Sequence, residues 1–350
     1  MNNILEIEHL QVNYETYAGC VKAVRDISFQ VKANSVTAIV GESGCGKSVT
    51  AKSVLGLIEN PGEIHSESII RFDGRNLVSQ SEEEWQAFRG NQASMIFQDA
   101  LVALNPTMKV GEQVIESLEN HRPEEQDTWK QQGIEMLRAV GIPDPERCMG
   151  MYPHELSGGM RQRVMIASAL ITHPKLVIAD EPTTALDVTI QAQILKLMKD
   201  LQEKFQMSLI LITHDLGIVA DYADEILVMY AGKIVERGSA EHIFNHPIHP
   251  YTKALIQAVP TFRLDRSKEL EAIPGMVPDM IHPPVGCAFC NRCRYAMRIC
   301  QSRPPMDIEV EDNHRVSCWL PLAESHPVEG KQDCKQAERD ETGQRSRDEQ

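Results

Sequence analysis

Apolar and polar residues alternate through the opening stretch MNNILEIEHLQVNYE, and no basic start, apolar run and small-residue cleavage site of an export signal is expected there. Residues 35–41, SVTAIVG, read as a short buried strand, followed by a glycine-rich turn and a helix carrying Val49, Val54 and Leu57. Two further apolar strands come later, KLVIAD at 175–180 and SLILIT at 208–213, around a helix whose apolar face is Ile190, Ile194, Leu197 and Leu201. Strands alternating with helices predict a parallel sheet with helices on both faces, an α/β fold. From about Leu101 to Met160 the chain turns helical and polar, punctuated by Pro106, Pro123, Pro143 and Pro153, as an inserted helical subdomain does. After about Pro260 the pattern weakens into IPGMVPDMIHPPVG, then a cysteine-rich stretch, then a charged tail. That tail, 324–350, is poor in large apolar residues and is expected to be disordered. No repeat of solenoid period is visible.

At 350 residues, 42% hydrophobic and 24% charged, the chain suffices for a large domain and a smaller one. Its longest apolar runs fall far short of the roughly 20 residues that cross a bilayer. A formal charge of −15 without an evident basic patch argues against nucleic acid as a partner. Five of nine cysteines fall between Cys287 and Cys318, four of them in GCAFCNRCRYAMRIC. In a reducing cytosol, metal or cluster ligation is a better reading of these than disulfides. Cys287, Cys290, Cys293 and Cys300 have spacing that zinc would accept.

GESGCGKS, Gly41 to Ser48, fits the phosphate-loop pattern and sits where it must, after a strand and opening a helix. Gly41, Ser43, Gly44, Cys45, Gly46 and Val49 are expected to line the nucleotide with Lys47, which reaches the β and γ phosphates, while the Ser48 hydroxyl ligates Mg²⁺. Cys45, at a helix start beside Lys47, is expected to be an unusually reactive thiol. Asp180 and Glu181 follow an apolar strand. Asp180 suits a Mg²⁺ ligand acting through water and Glu181 a base for the attacking water, although such a pair is also a plain helix cap.

LSGGMRQR, Leu156 to Arg163, is the stretch at which the chain resembles the ATP-binding subunits of ABC transporters. Ser157, Gly158 and Gly159 match that family's LSGGQ element, with Met160 in place of Gln. In family order, Gln98 of IFQD matches the Q-loop, Ala185-Leu186-Asp187 the D-loop and His214 of LITHD the switch histidine. The resemblance implies that Gln98 is a catalytic residue that binds nucleotide and Mg²⁺, that Asp187 borders the nucleotide, and that Tyr14, or else Tyr17, stacks on adenine. It also implies an N-terminal antiparallel β subdomain beside the parallel-sheet core. Two such domains close head to tail, so that each ATP lies between one phosphate loop and the other chain's LSGG loop.

MIFQDALVALNP, with Ala100 in place of a usual Pro, and HPIHPYTKALIQAVP are similar to the oligopeptide, dipeptide and nickel importer branch. The expected organisation is an ATP-binding domain over 1–258, with its helical subdomain at about 101–160, and a C-terminal extension over 259–323. The branch implies ATP hydrolysis that energises import of peptides or a related solute such as nickel. It further implies peripheral attachment to the cytoplasmic face of the membrane, a second and different ATPase subunit, two permease subunits and an extracytoplasmic solute-binding protein. Its cysteine pattern selects Cys287, Cys293, Cys300 and Cys318 as ligands of a [4Fe-4S] cluster, with zinc as the alternative, and leaves Cys290 outside. Repair and ribosome-acting ABC ATPases are the competing class, but their long insertions or doubled ATPase halves are not seen.

Overall fold

The computed structural model describes residues 2–184, 186–258 and 273–325. The expected boundary near 258 and the tail from 326 onward lie outside those residues, as does Ala185. The N-terminal alternation forms two long strands, β1 (Asn3–Thr16) and β2 (Gly19–Lys32), followed by the central strand β3 (Val36–Val40). Short strands β4 (Gly62–Ile64), β5 (Ile69–Phe72) and β6 (Arg75–Asn76) precede β7 (Ala93–Ile96). After the helical insertion come β8 (Leu176–Asp180), β9 (Ser208–Thr213), β10 (Glu225–Tyr230) and β11 (Lys233–Gly238), and the C-terminal part adds β12 (Asp307–Glu311) and β13 (His314–Ser317).

Among the described residues these strands make two sheets. One is five-stranded and antiparallel about β1; the other is eight-stranded in the order β12-β13-β11-β10-β3-β9-β8-β7. Strands β10, β3, β9, β8 and β7 run parallel. Every residue of β3, β8 and β9 is buried, which is why these strands read as continuous apolar runs instead of alternating.

The strand pleat divides the core. Val36, Ala38 and Val40 face the helical side, where Val164, Ile194 and Met198 meet Val114 and Leu137 of the insertion. Ile39, Ile178 and Ile210 face the other side, against Leu5, Ile7, Val12 and Phe29 of the antiparallel sheet. The simple expectation of helices on both faces is therefore corrected: the second face is shared between the helix Lys47–Val54 and a β-sheet. The inward residues of β1 and β2 supply an apolar face that has to be covered. The insertion is helical as expected, with Val110–His121 and Trp129–Ala139 packed against the helix Gly158–Leu170.

The C-terminal extension is joined to this body. Strand β13 pairs antiparallel with β11, Glu236 opposite Val316, and so prolongs the main sheet. Phe289, 2% exposed, packs into the main core against Tyr230 and Tyr251. The cysteine-rich segment shares the core of the ATP-binding body through Phe289.

Candidate functional site

The phosphate loop joins the C-terminal end of β3 to the helix Lys47–Val54. Gly46 has φ 105°, and a Cβ there would stand 2.6 Å from the Ala23 carbonyl, so the turn excludes a side chain at this position. Ser43 and Gly44 are exposed at the crest, Gly41, Cys45 and Gly46 are buried, and Val49 is half-buried. Lys47 is buried, and its Nζ donates to the carbonyls of Gly41 at 2.8 Å and Glu42 at 3.1 Å. The reactive thiol expected at Cys45 is not borne out. Burial pushes its pKa above the ordinary thiol value, outweighing the lowering by Lys47, because the side chain is enclosed at 1% exposure.

Parallel pairing of β8 with β9, and of β9 with β3, brings the ends of these strands beside the loop. The Ser48 hydroxyl donates to Asp180 Oδ1 at 2.9 Å. Burial raises the Asp180 pKa while the Ser48 hydrogen bond opposes that rise, which leaves a carboxylate that gains from a cation. Glu181 takes the left-handed backbone conformation, φ 45°, and its amide donates to Ile212 of β9 at 2.9 Å. Its Oε2 accepts from Gln98 Nε2 at 3.0 Å and Thr184 Oγ1 at 3.1 Å, and lies 3.3 Å from His214 Nδ1. Three of the residues singled out in sequence, Gln98, Glu181 and His214, thus meet at one oxygen. Thr184 was missed; its signal was a hydroxyl three residues after the carboxylate in EPTT.

Other candidates lie elsewhere on the surface. Ser157 caps the helix Gly158–Leu170, accepting from the Met160 amide at 3.4 Å; Ser157 and Gly158 are exposed and Gly159 is half-buried. Asp187, also exposed, caps the helix Val188–Phe205 through the Ile190 amide at 3.0 Å. Tyr14 is half-buried in β1 beside Gly62 of β4, whereas Tyr17, at the turn into β2, is fully exposed.

In the cysteine segment the Cys287 amide donates to the Cys300 carbonyl at 2.7 Å. Gly286 permits this approach, since a Cβ there would stand 2.1 Å from the Cys300 oxygen. Burial, with Cys300 and Cys293 adding to it, pushes the Cys287 pKa up to about 11. Burial, with Cys287, Cys293 and Cys300 adding to it, pushes Cys318 up to about 12. Among the described residues no group of three or more His, Cys, Asp and Glu is arranged to hold a metal ion, which supports neither the cluster nor the zinc expected at these cysteines.

A glycine-rich loop opening a helix, a buried lysine, and paired carboxylates at the end of the neighbouring strand define a P-loop nucleoside triphosphatase. The family model described as ABC transporter matches residues 24–184, and that described as oligopeptide/dipeptide transporter, C-terminal region, matches residues 235–300. The chain is 50% identical over 329 residues to the oligopeptide transport ATP-binding protein OppD of Bacillus subtilis, covering 94% of this chain and 92% of the relative. It is 46% identical over 319 residues to the dipeptide transport ATP-binding protein DppD of Escherichia coli, covering 91% and 97%. Among solved structures, cbiO1 from Clostridium perfringens, part of the ABC transporter complex cbiONQ, superposes with a TM-score of 0.60 at 29% identity, covering 70% of this chain and 92% of that one. A bacterial ABC transporter cassette solved as a dimer gives a TM-score of 0.59 at 25% identity, covering 67% and 98%. The chain belongs to the ATP-binding subunits of ABC transporters, in the oligopeptide and dipeptide branch.

Proposed function

We propose that this chain hydrolyses ATP on the cytoplasmic face of the membrane and thereby drives peptide import through permease subunits. The observation that carries the reading is the convergence of Gln98, Thr184 and His214 on one oxygen of Glu181, next to the Ser48–Asp180 pair. Lys47 and the loop amides take the phosphates; Ser48, Asp180 and Gln98 would hold Mg²⁺, which would supply neutralisation of phosphate charge. Glu181, oriented by its three neighbours, accepts the proton of the attacking water, and His214 contacts the γ phosphate. Tyr14 or the exposed Tyr17 stacks on adenine.

The exposed LSGG loop and Asp187 are the surfaces offered to a second ATPase subunit. One phosphate loop and one LSGG loop per chain require such a partner, and a heterodimer is the arrangement proposed. Phe97, Leu101 and Val102 are exposed around Gln98, which suits docking of the helical insertion on the permease pair. An extracytoplasmic solute-binding protein delivers the peptide in the same system.

Beyond burial, Cys293 and Cys300 discourage ionisation of both Cys287 and Cys318, and Cys287 that of Cys318, a cost that a positively charged centre would relieve. The cysteine pattern shared with the branch points to the four as holders of a [4Fe-4S] cluster, with zinc as the alternative.

Reconstitution with the permease pair and partner ATPase in proteoliposomes tests the function. ATP-driven uptake of labelled di- and oligopeptides is expected; uptake of nickel without peptides would overturn the substrate. Sedimentation of the chain with DNA or ribosomes, and not with permease-containing membranes, would overturn the class.

A further inference from the structure

The first side chain of the phosphate loop is held from the C-terminal extension. Arg292, one residue before Cys293, makes a two-pronged contact with the Glu42 carboxylate, Nη1 to Oε2 at 2.7 Å and Nη2 to Oε1 at 3.0 Å. The Arg292 side chain is 7% exposed and that of Glu42 25%. The guanidinium is fixed from several sides: Nη1 also donates to the Tyr230 hydroxyl at 3.2 Å, Nε to the Pro274 carbonyl at 2.8 Å and Nη2 to the Ile273 carbonyl at 3.4 Å. It lies 5.7 Å from the centre of the Tyr230 ring and 6.0 Å from that of Phe289. The buried Tyr251 hydroxyl, whose ring packs on that of Tyr230, accepts the Glu42 amide hydrogen at 2.9 Å. Side chain and backbone of Glu42 are therefore both anchored outside the loop.

An anionic side chain at this place is a liability to a loop that must accept polyphosphate. Lys47 Nζ lies 3.1 Å from the carbonyl of Glu42 itself, so a released Glu42 carboxylate is within a side chain's length of that ammonium. There it competes with phosphate for the charge. A planar guanidinium matches both carboxylate oxygens and neutralises them in fixed geometry, which a lysine does less well.

We propose that Arg292 is a positioning residue for nucleotide binding: it holds the Glu42 carboxylate away from Lys47 and keeps that lysine available to phosphate. The inference rests on the reading of this loop as the ATP site. It goes beyond it in giving an arginine of the C-terminal extension a role in ATP affinity.

Calorimetric titration of the full-length chain with MgATP tests it, with circular dichroism as a check on folding. Arg292→Met is expected to raise Kd about tenfold, the size of one charge interaction lost. In the assembled transporter, KM for ATP rises in parallel while kcat at saturating ATP stays within about twofold. Glu42→Gln in the same chain as Arg292→Met is expected to restore Kd to within about threefold of wild type, Arg292→Lys to be intermediate, and Glu42→Gln alone to bind no more weakly than wild type. Unchanged Kd in Arg292→Met overturns the proposal. So does a double variant that binds as poorly as Arg292→Met, or Glu42→Gln alone binding more than about threefold more weakly. A wild-type chain that binds no MgATP overturns the reading of the loop itself, and the proposal with it.

Discussion

The Ser48 hydroxyl donates to Asp180 at 2.9 Å across 132 positions of sequence, tying the start of the phosphate-loop helix to the end of β8. Both groups are oxygen donors suited to Mg²⁺, and each occupies the other at the place assigned to the ion. Asp180→Asn keeps an acceptor for the hydroxyl and removes the charge. The fold is expected to survive, while the Mg²⁺ concentration needed for half-maximal ATPase activity rises about 10- to 100-fold. A magnesium titration of hydrolysis checks this; an unchanged midpoint would separate Asp180 from the metal.

His249 gives the fold a pH limit. Burial lowers its pKa to about 4, against the raising influence of Glu236, which accepts its amide at 3.0 Å. In the unfolded chain it titrates near 6.5, so as pH falls the unfolded state takes up the proton first. The contribution of neutral His249 is full above about pH 6.5, declines toward pH 4 and changes no further below that, a total of about 3 kcal/mol. Thermal unfolding of wild type and His249→Asn is expected to show midpoints that converge as pH falls from 6.5 to 4. A gap independent of pH would contradict the assignment.

For the cysteine segment, protein purified without oxygen is expected to be brown, with about four iron and four sulfide per chain. Cys318→Ser bleaches it and Cys290→Ser does not. Colourless protein with stoichiometric zinc would overturn the cluster, and the reverse pattern of bleaching would overturn the choice of ligands.

Much of the site was legible because its chemistry is local. The phosphate loop lies between an apolar run and a helix start, and Glu181 directly follows an apolar strand, so one short window holds both the element and the reactive group. Gln98 was singled out only through the family resemblance, and its contact with Glu181, 83 positions apart, was not foreseen, since periodicity carries no record of which strands become neighbours. The β12–β13 hairpin was missed even though Ile308 and Val310 alternate with acidic residues; the cysteines nearby directed attention to ligation instead of strand pairing. Nor did spacing reveal the Arg292–Glu42 contact, which joins positions 250 apart through packing of Phe289 against Tyr230 and Tyr251. At Cys45 a local rule misled: a helix start and a lysine favour thiolate, but enclosure by the antiparallel sheet costs more than both return.

Glu181, oriented by Gln98, Thr184 and His214, is the residue proposed to activate the water whose attack on ATP powers peptide import. The most direct measurement compares wild type and Glu181→Gln in the reconstituted transporter, following MgATP binding, phosphate release and peptide uptake together. The variant is expected to bind MgATP as wild type does, to hydrolyse it at least about a hundredfold more slowly, and to lose peptide uptake in the same proportion. Hydrolysis or uptake near the wild-type rate would contradict it.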